Sequence, residues 1–77
     1  MSTISLNKLP TGQKGRVLHL KSDDTSRRRL LDLGIVVGTE IESLYKSPSG
    51  NPVAYFIRGA VIALREDVSD GILVSVS

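Results

Sequence analysis

The sequence predicts a mainly β domain: a small barrel of five short strands, with one short α-helix between the first two. Three observations carry this. Short β-leaning stretches recur at close spacing and are separated by glycine and proline turns, which is the pattern of a closed barrel rather than an open sheet. The run Arg29-Leu30-Leu31-Asp32-Leu33-Gly34-Ile35-Val36-Val37-Gly38-Thr39 reads as a helix end, a forced turn and the start of a strand. The 77 residues allow one domain, spanning 1–77, with a modest core.

Leu6 to Leu9 lead into a turn at Pro10-Thr11-Gly12, and Gly15 to Leu20 reads as the first strand. Ser22-Asp23-Asp24-Thr25 offers N-cap candidates, and its acids suit the positive end of a helix dipole. The helix is expected from about Thr25 to Leu33. At that length it is not stable alone and must pack on the sheet, plugging one end of the barrel.

Gly34 falls where a left-handed C′ residue is needed. With Leu33 as Ccap, Leu30 becomes C3 and Ile35 becomes C″, and a Schellman motif brings their side chains together. Leu30 and Leu33 should face the core, while Leu31, about 100° away around the helix, is the exposed one. Gly38 marks a second structural turn before Ile41.

Thr39 to Lys46 is the second strand. Ser47-Pro48-Ser49-Gly50-Asn51-Pro52 is dense in turn residues and should form an exposed hairpin loop. Val53 to Arg58 is the third strand, with Val53, Tyr55 and Ile57 on the inner face and Phe56 outward. Gly59-Ala60 is expected to reverse the chain into the fourth strand, Val61 to Arg65. Glu66 to Asp70 connects through about one helical turn, with Val68 tucked inward. Gly71 to Val76 is the fifth strand, with Ile72, Val74 and Val76 on one face. Closure of the barrel would remove the free edges that invite aggregation.

Composition narrows the function. With no cysteine there is no disulfide, thiolate metal site or thiol nucleophile. The start of the chain lacks the basic region and apolar run of a signal peptide, and no stretch reaches the roughly 20 apolar residues of a membrane helix. A cytoplasmic location is expected. Charge is uneven: residues 1–31 carry seven cations and two anions, residues 32–77 three cations and six anions. A basic first half suits an acidic partner surface.

Catalytic and metal constellations are missing. His19 is the only histidine and has no companions at ligand spacing. Asp23-Asp24, Glu40/Glu42 and Glu66-Asp67-Asp70 match no calcium loop and read as caps or solvated turns. No Ser/His/Asp arrangement or phosphate-cradling glycine loop appears, so neither enzyme activity, cofactor, metal nor small-molecule substrate is expected.

The sharpest charged feature is Arg27-Arg28-Arg29. On a helix these fan over some 200°. Arg28 could pair with Asp32 at i,i+4. Arg29 could cap carbonyls near the Gly34 turn. As a cationic patch they would tune encounter with an acidic partner. The candidate partner surface is the helix segment Arg27, Arg28, Arg29, Leu30 and Leu31 with the hairpin residues Pro48, Gly50 and Asn51, and the outward Phe56 as a possible anchor. Nucleic-acid binding is the rival reading. With only Tyr45, Tyr55 and Phe56 as aromatics, and Tyr55 inward, no stacking platform forms. A third class is self-association through an open barrel edge.

Leu9, Gly12, Val17, Arg29-Leu30, Leu33-Gly34-Ile35, Gly38-Thr39, Gly50-Asn51-Pro52, Ile62-Ala63-Leu64-Arg65, Ile72 and Val74 together resemble the FeoA family, from about Leu6 to Val76. The resemblance implies a five-stranded SH3-like barrel. It also implies a non-catalytic accessory role in bacterial ferrous iron uptake, through contact with the cytoplasmic part of the membrane GTPase FeoB. Any membrane association would run through that partner. The family carries a general association with transition metal ions, but this chain is read as holding none. The same barrel occurs in iron-dependent repressors, whose helix-turn-helix has no room here. Val36-Val37 stands where the family usually has proline before Gly38, and Val68 stands near a usual alanine.

Overall fold

The computed structural model describes residues 2–21 and 24–76, and the side chains of all of these except 24–26. Six antiparallel strands form one curled sheet: β1 (Ser2–Ser5), β2 (Lys14–Leu20), β3 (Glu40–Lys46), β4 (Val53–Ile57), β5 (Ala60–Leu64) and β6 (Ile72–Val76). Helix α1 (Asp24–Asp32) joins β2 to β3, and the short α2 (Glu66–Ser69) joins β5 to β6. The spatial order is β1-β6-β2-β3-β4-β5.

The fold class is the expected one, with one strand more. β1, Ser-Thr-Ile-Ser, pairs with β6 from Ser2↔Val76 to Ser5↔Leu73. Its polar sequence hides it, because an outer strand needs only a free partner edge and places just Ile4 against the core. Leu6–Lys8 then forms a 3-10 turn closed by the Leu9 N–H on the Leu6 carbonyl at 3.0 Å, which buries Leu6 and Leu9.

β2 serves both halves of the sheet. Lys14–Arg16 pair with β3, while Arg16–Leu20 pair with β6. Gly15 makes the crossing possible: a Cβ there would stand 2.9 Å from Val74 Cγ2 and 3.3 Å from the Ser75 carbonyl. Bulges between Val17 and His19 and between Ser43 and Tyr45 add curl. The curl wraps the inner faces around one core that includes Val17, Ile41, Tyr55, Ile57, Ile72 and Val74. Among the described residues, however, hydrogen bonding does not close the ring, and β1 and β5 stay as edges.

The end of α1 is the Schellman motif the sequence requires. The Ile35 N–H bonds the Leu30 carbonyl and the Gly34 N–H bonds the Leu31 carbonyl, both at 2.9 Å, with Gly34 at φ +83°. Leu30 and Ile35 are fully buried in the same core. These two N–H groups satisfy the Leu30 and Leu31 carbonyls, and among the described residues Arg29 caps no carbonyl at this turn. The expected Arg28–Asp32 pair does not form either: among the described residues the ion pairs are Arg16–Glu40 and Arg65–Asp67. Of the N-cap candidates, Ser22 and Asp23 lie outside the described residues, as do the side chains of Asp24 and Thr25.

The β4–β5 reversal sits one residue earlier than expected. Arg58 (φ 50°) and Gly59 (φ 85°) are its two central residues, the pattern of a type I′ hairpin turn. Ala60 already pairs with Ile57. In α2, Val68 packs against the core as expected, but Ser69 is the fully buried residue, its hydroxyl donating to the Arg65 and Glu66 carbonyls at 3.3 and 3.4 Å.

Candidate partner-binding surface

Helix α1 presents Arg27, Arg28 and Arg29 to solvent, followed by Leu31 at 55% exposure. Leu30 is 1% exposed and belongs to the core, so it supports this ridge from beneath and offers no contact surface. Leu33 is half-buried against the core. The result is a cationic ridge with one apolar side chain at its outer face. Its hydrophobic underside is fixed by Leu30 and by the Gly34 turn.

A cleft of about 220 Å³ runs between α1 and the β5–α2 segment, lined by Arg29, Leu30 and Leu33 on one wall and Ile62, Ala63 and Arg65 among those on the other. The Ser47–Pro52 hairpin is an exposed loop at Pro48, Ser49 and Gly50, closed by the Gly50 N–H on the Ser47 carbonyl at 2.8 Å. Asn51 is half-buried and already engaged: its Oδ1 accepts the Glu66 N–H at 2.9 Å and so caps α2. The hairpin therefore docks on α2. Arg65 and Asp67 line both the α1 cleft and a second cleft with Asn51, Glu66 and Asp70, which makes the start of α2 the link between hairpin and helix. The basic ridge is thus flanked by an acidic segment, Glu66-Asp67 with Asp70.

Phe56 stands in a separate group. It is exposed on the outer face of β4 and lines a groove of about 360 Å³ with Lys14, Glu40, Glu42 and Arg58. Register places Lys14, Glu42, Phe56 and Val61 in one row across β2, β3, β4 and β5. None of the α1 residues lines this groove.

Alternation by itself would turn Tyr45 inward with Ser43 and Ile41. The bulge between Ser43 and Tyr45 instead pairs Tyr45 with Ala54 and leaves it exposed. Val61 and Ala63 of β5 are also exposed, on the uncharged run Ala60–Leu64, whose composition is the sequence signal for an edge without charged protection. His19 is exposed at the β2 bulge, and among the described residues no group of three or more His, Cys, Asp or Glu is placed to hold a metal ion.

The FeoA domain family matches residues 4–76, which is nearly the whole chain. The chain belongs to the FeoA family. Among solved structures, the FeoA-like protein of Clostridium acetobutylicum is 37% identical, with a TM-score of 0.90 over 99% of this chain and 88% of that one. FeoA of Chlorobium tepidum is 30% identical, with a TM-score of 0.88 over 95% of this chain and 70% of that one. FeoA of Stenotrophomonas maltophilia, an SH3 domain protein crystallised with zinc, is 28% identical, with a TM-score of 0.80 over 97% of this chain and 91% of that one. No curated protein matches the chain. The six-stranded curled sheet is therefore the SH3-like barrel of FeoA proteins, and no helix among the described residues is long and apolar enough to cross a membrane.

Proposed function

We propose that this FeoA protein is a non-catalytic, cytoplasmic accessory of ferrous iron uptake that binds the cytoplasmic part of a FeoB-like membrane GTPase. Family membership over residues 4–76 supports the iron-transport role, and the S. maltophilia relative is described as a candidate activating factor for bacterial ferrous iron transport. The observation that carries the choice of surface is the α1 ridge. Three consecutive exposed arginines and an exposed Leu31 ride on a helix whose underside is locked to the core. Such a ridge offers fast electrostatic encounter and one desolvated anchor, the two elements of a regulated protein contact.

Binding of nucleic acid fits less well. Glu40 and Glu42 line the groove beside Phe56, and carboxylates there would repel a phosphate backbone.

Titration calorimetry of the chain against the cytoplasmic domain of its cognate FeoB, with and without GTP and at two salt concentrations, tests the reading. Saturable binding is expected, weakened at least about tenfold by combined Arg27→Glu and Arg28→Glu, a loss of roughly 1.4 kcal/mol. An absence of binding both to that domain and to the intact transporter would overturn it.

A further inference from the structure

The cleft of about 220 Å³ between α1 and the β5–α2 segment has an apolar interior and a charged mouth. Leu30 and Leu33 form its α1 wall, and Ile62, Ala63, Leu64 and Val68 form the opposite one. Leu30 and Leu64 are buried, but Leu33, Ile62 and Val68 are only half-buried although they pack on the core. Those three side chains leave apolar surface for an occupant to cover.

At the mouth stand Arg29 of α1 and Arg65, which leads into α2, with Asp67 beside Arg65. Arg29 has no ion-pair partner among the described residues. Arg65 meets Asp67 only at 3.9 Å, with the two side chains 72% and 79% exposed. Solvent screens so open a pair, and the Arg65 guanidinium stays available to a better acceptor. Two cations against one anion favour an anionic group here.

The Arg58-Gly59 turn adds backbone groups to this wall. In a two-residue hairpin the flanking pair exchanges both hydrogen bonds, here Ile57 with Ala60, and the pattern repeats at Tyr55↔Ile62 and Val53↔Leu64. The N–H and C=O of Ala63 therefore point away from β4, on the strand that walls the cleft. Among the described residues they have no backbone partner.

Size and surroundings select the occupant. The cleft lies below the roughly 300 Å³ at which sites for drug-sized ligands begin, so it admits one side chain and not a strand. An internal residue of a peptide would need chain on both sides of it along β5, where α1 stands. The last residue of a chain needs room on one side only. Its α-carboxylate also shares a Cα with its side chain, which matches an apolar interior with arginines at the mouth.

We propose that this cleft captures the C-terminal residue of a partner protein, one with a mid-sized aliphatic side chain. The side chain enters between Leu33 and Ile62. The α-carboxylate accepts from the Ala63 N–H and from the Arg29 and Arg65 guanidinium groups, and the residue's own N–H donates to the Ala63 carbonyl. This goes beyond the ridge contact and involves neither Arg27 nor Arg28, so the two readings are tested by different variants.

Three probes test the proposal: acetyl-Gly-Gly-Leu with a free α-carboxylate, the same peptide as its C-terminal amide, and isocaproate, which keeps the side chain and the carboxylate but has no N–H. Each is titrated into the full chain and followed through the backbone amide resonances by NMR. The free acid should shift the Ala63 amide saturably, with a Kd of the order of 1 mM. The amide should bind at least about tenfold more weakly, because it forfeits the charge-assisted bonds, and isocaproate should bind several-fold more weakly. Arg29→Gln and Arg65→Gln, at exposed side chains, should each weaken the acid several-fold, while Arg27→Gln should leave it unchanged. Equal binding of acid and amide overturns the proposal. So does isocaproate binding as tightly as the acid, which would make the cleft a site for free carboxylates. Saturation that leaves the Ala63 amide unmoved, or no shift with the acid at roughly 10 mM, overturns it as well.

Discussion

The Arg58 side chain lies across Gly34, so close that a Cβ on Gly34 would stand 2.9 Å from Arg58 Cδ and 3.3 Å from Nε. The turn that ends α1 and the turn that ends β4 therefore meet at this point. Gly34→Ala faces two penalties. The backbone at φ +83° disfavours any L side chain, and Arg58 must shift. The Arg58 chain is flexible and moves cheaply, so the backbone term dominates, at about 1–2 kcal/mol. Urea unfolding should show a lower midpoint with an unchanged slope.

Val37→Pro should stabilise the protein. Val36–Thr39 is a β-turn closed by the Thr39 N–H on the Val36 carbonyl at 3.0 Å, with Gly38 at φ 96° in the third position. That is a type II arrangement, which favours proline at the second position. Val37 occupies it, is exposed, and donates no backbone bond among the described residues. The expected gain is about 0.4–1 kcal/mol, through the unfolded state, and a thermal melt would read it as a higher Tm.

Tyr55 should couple stability to alkaline pH. Burial pushes its phenol pKa above 10.0, opposed in part by the neighbouring Ser69 hydroxyl. The folded state thus holds the proton at pH values where the unfolded chain has lost it. This contribution is complete below pH 10.0 and falls away as pH rises through the elevated pKa. Tyr55→Phe should flatten the pH dependence of the denaturation midpoint above that point. It should also cost about 0.5–1.5 kcal/mol near neutrality, because the phenol donates to the Leu6 carbonyl at 3.4 Å.

Asn51→Ala should lower stability by about 0.5–2 kcal/mol, since it removes the acceptor that caps the first turn of α2. Asn51→Asp keeps an acceptor but adds a charge to a cleft already lined by Glu66, Asp67 and Asp70, so it should recover only part of the loss. Chemical denaturation of the two variants side by side separates capping from repulsion.

The sequence by itself determined the local devices. The Leu30–Gly34–Ile35 helix stop follows from side-chain chirality and from which N–H groups lie free at a helix end. The inward set Val53, Tyr55 and Ile57, the outward Phe56 and the exposed Leu31 follow from the periods of strand and helix. These are short-range rules, and the residues within a few positions obey them.

Tertiary structure decided what depends on partners distant in the chain. β1 exists because β6 offers a free edge, not because Ser-Thr-Ile-Ser favours a strand. Tyr45 faces out because of a bulge that only pairing with β4 produces. Asn51 became a helix cap, and the hairpin docked on α2, through a contact fifteen residues away in sequence. β5 remained an edge because, among the described residues, the ring is not closed by hydrogen bonds. Strand pairing and docking are settled by long-range complementarity, and a one-residue shift in register changes which groups face the solvent.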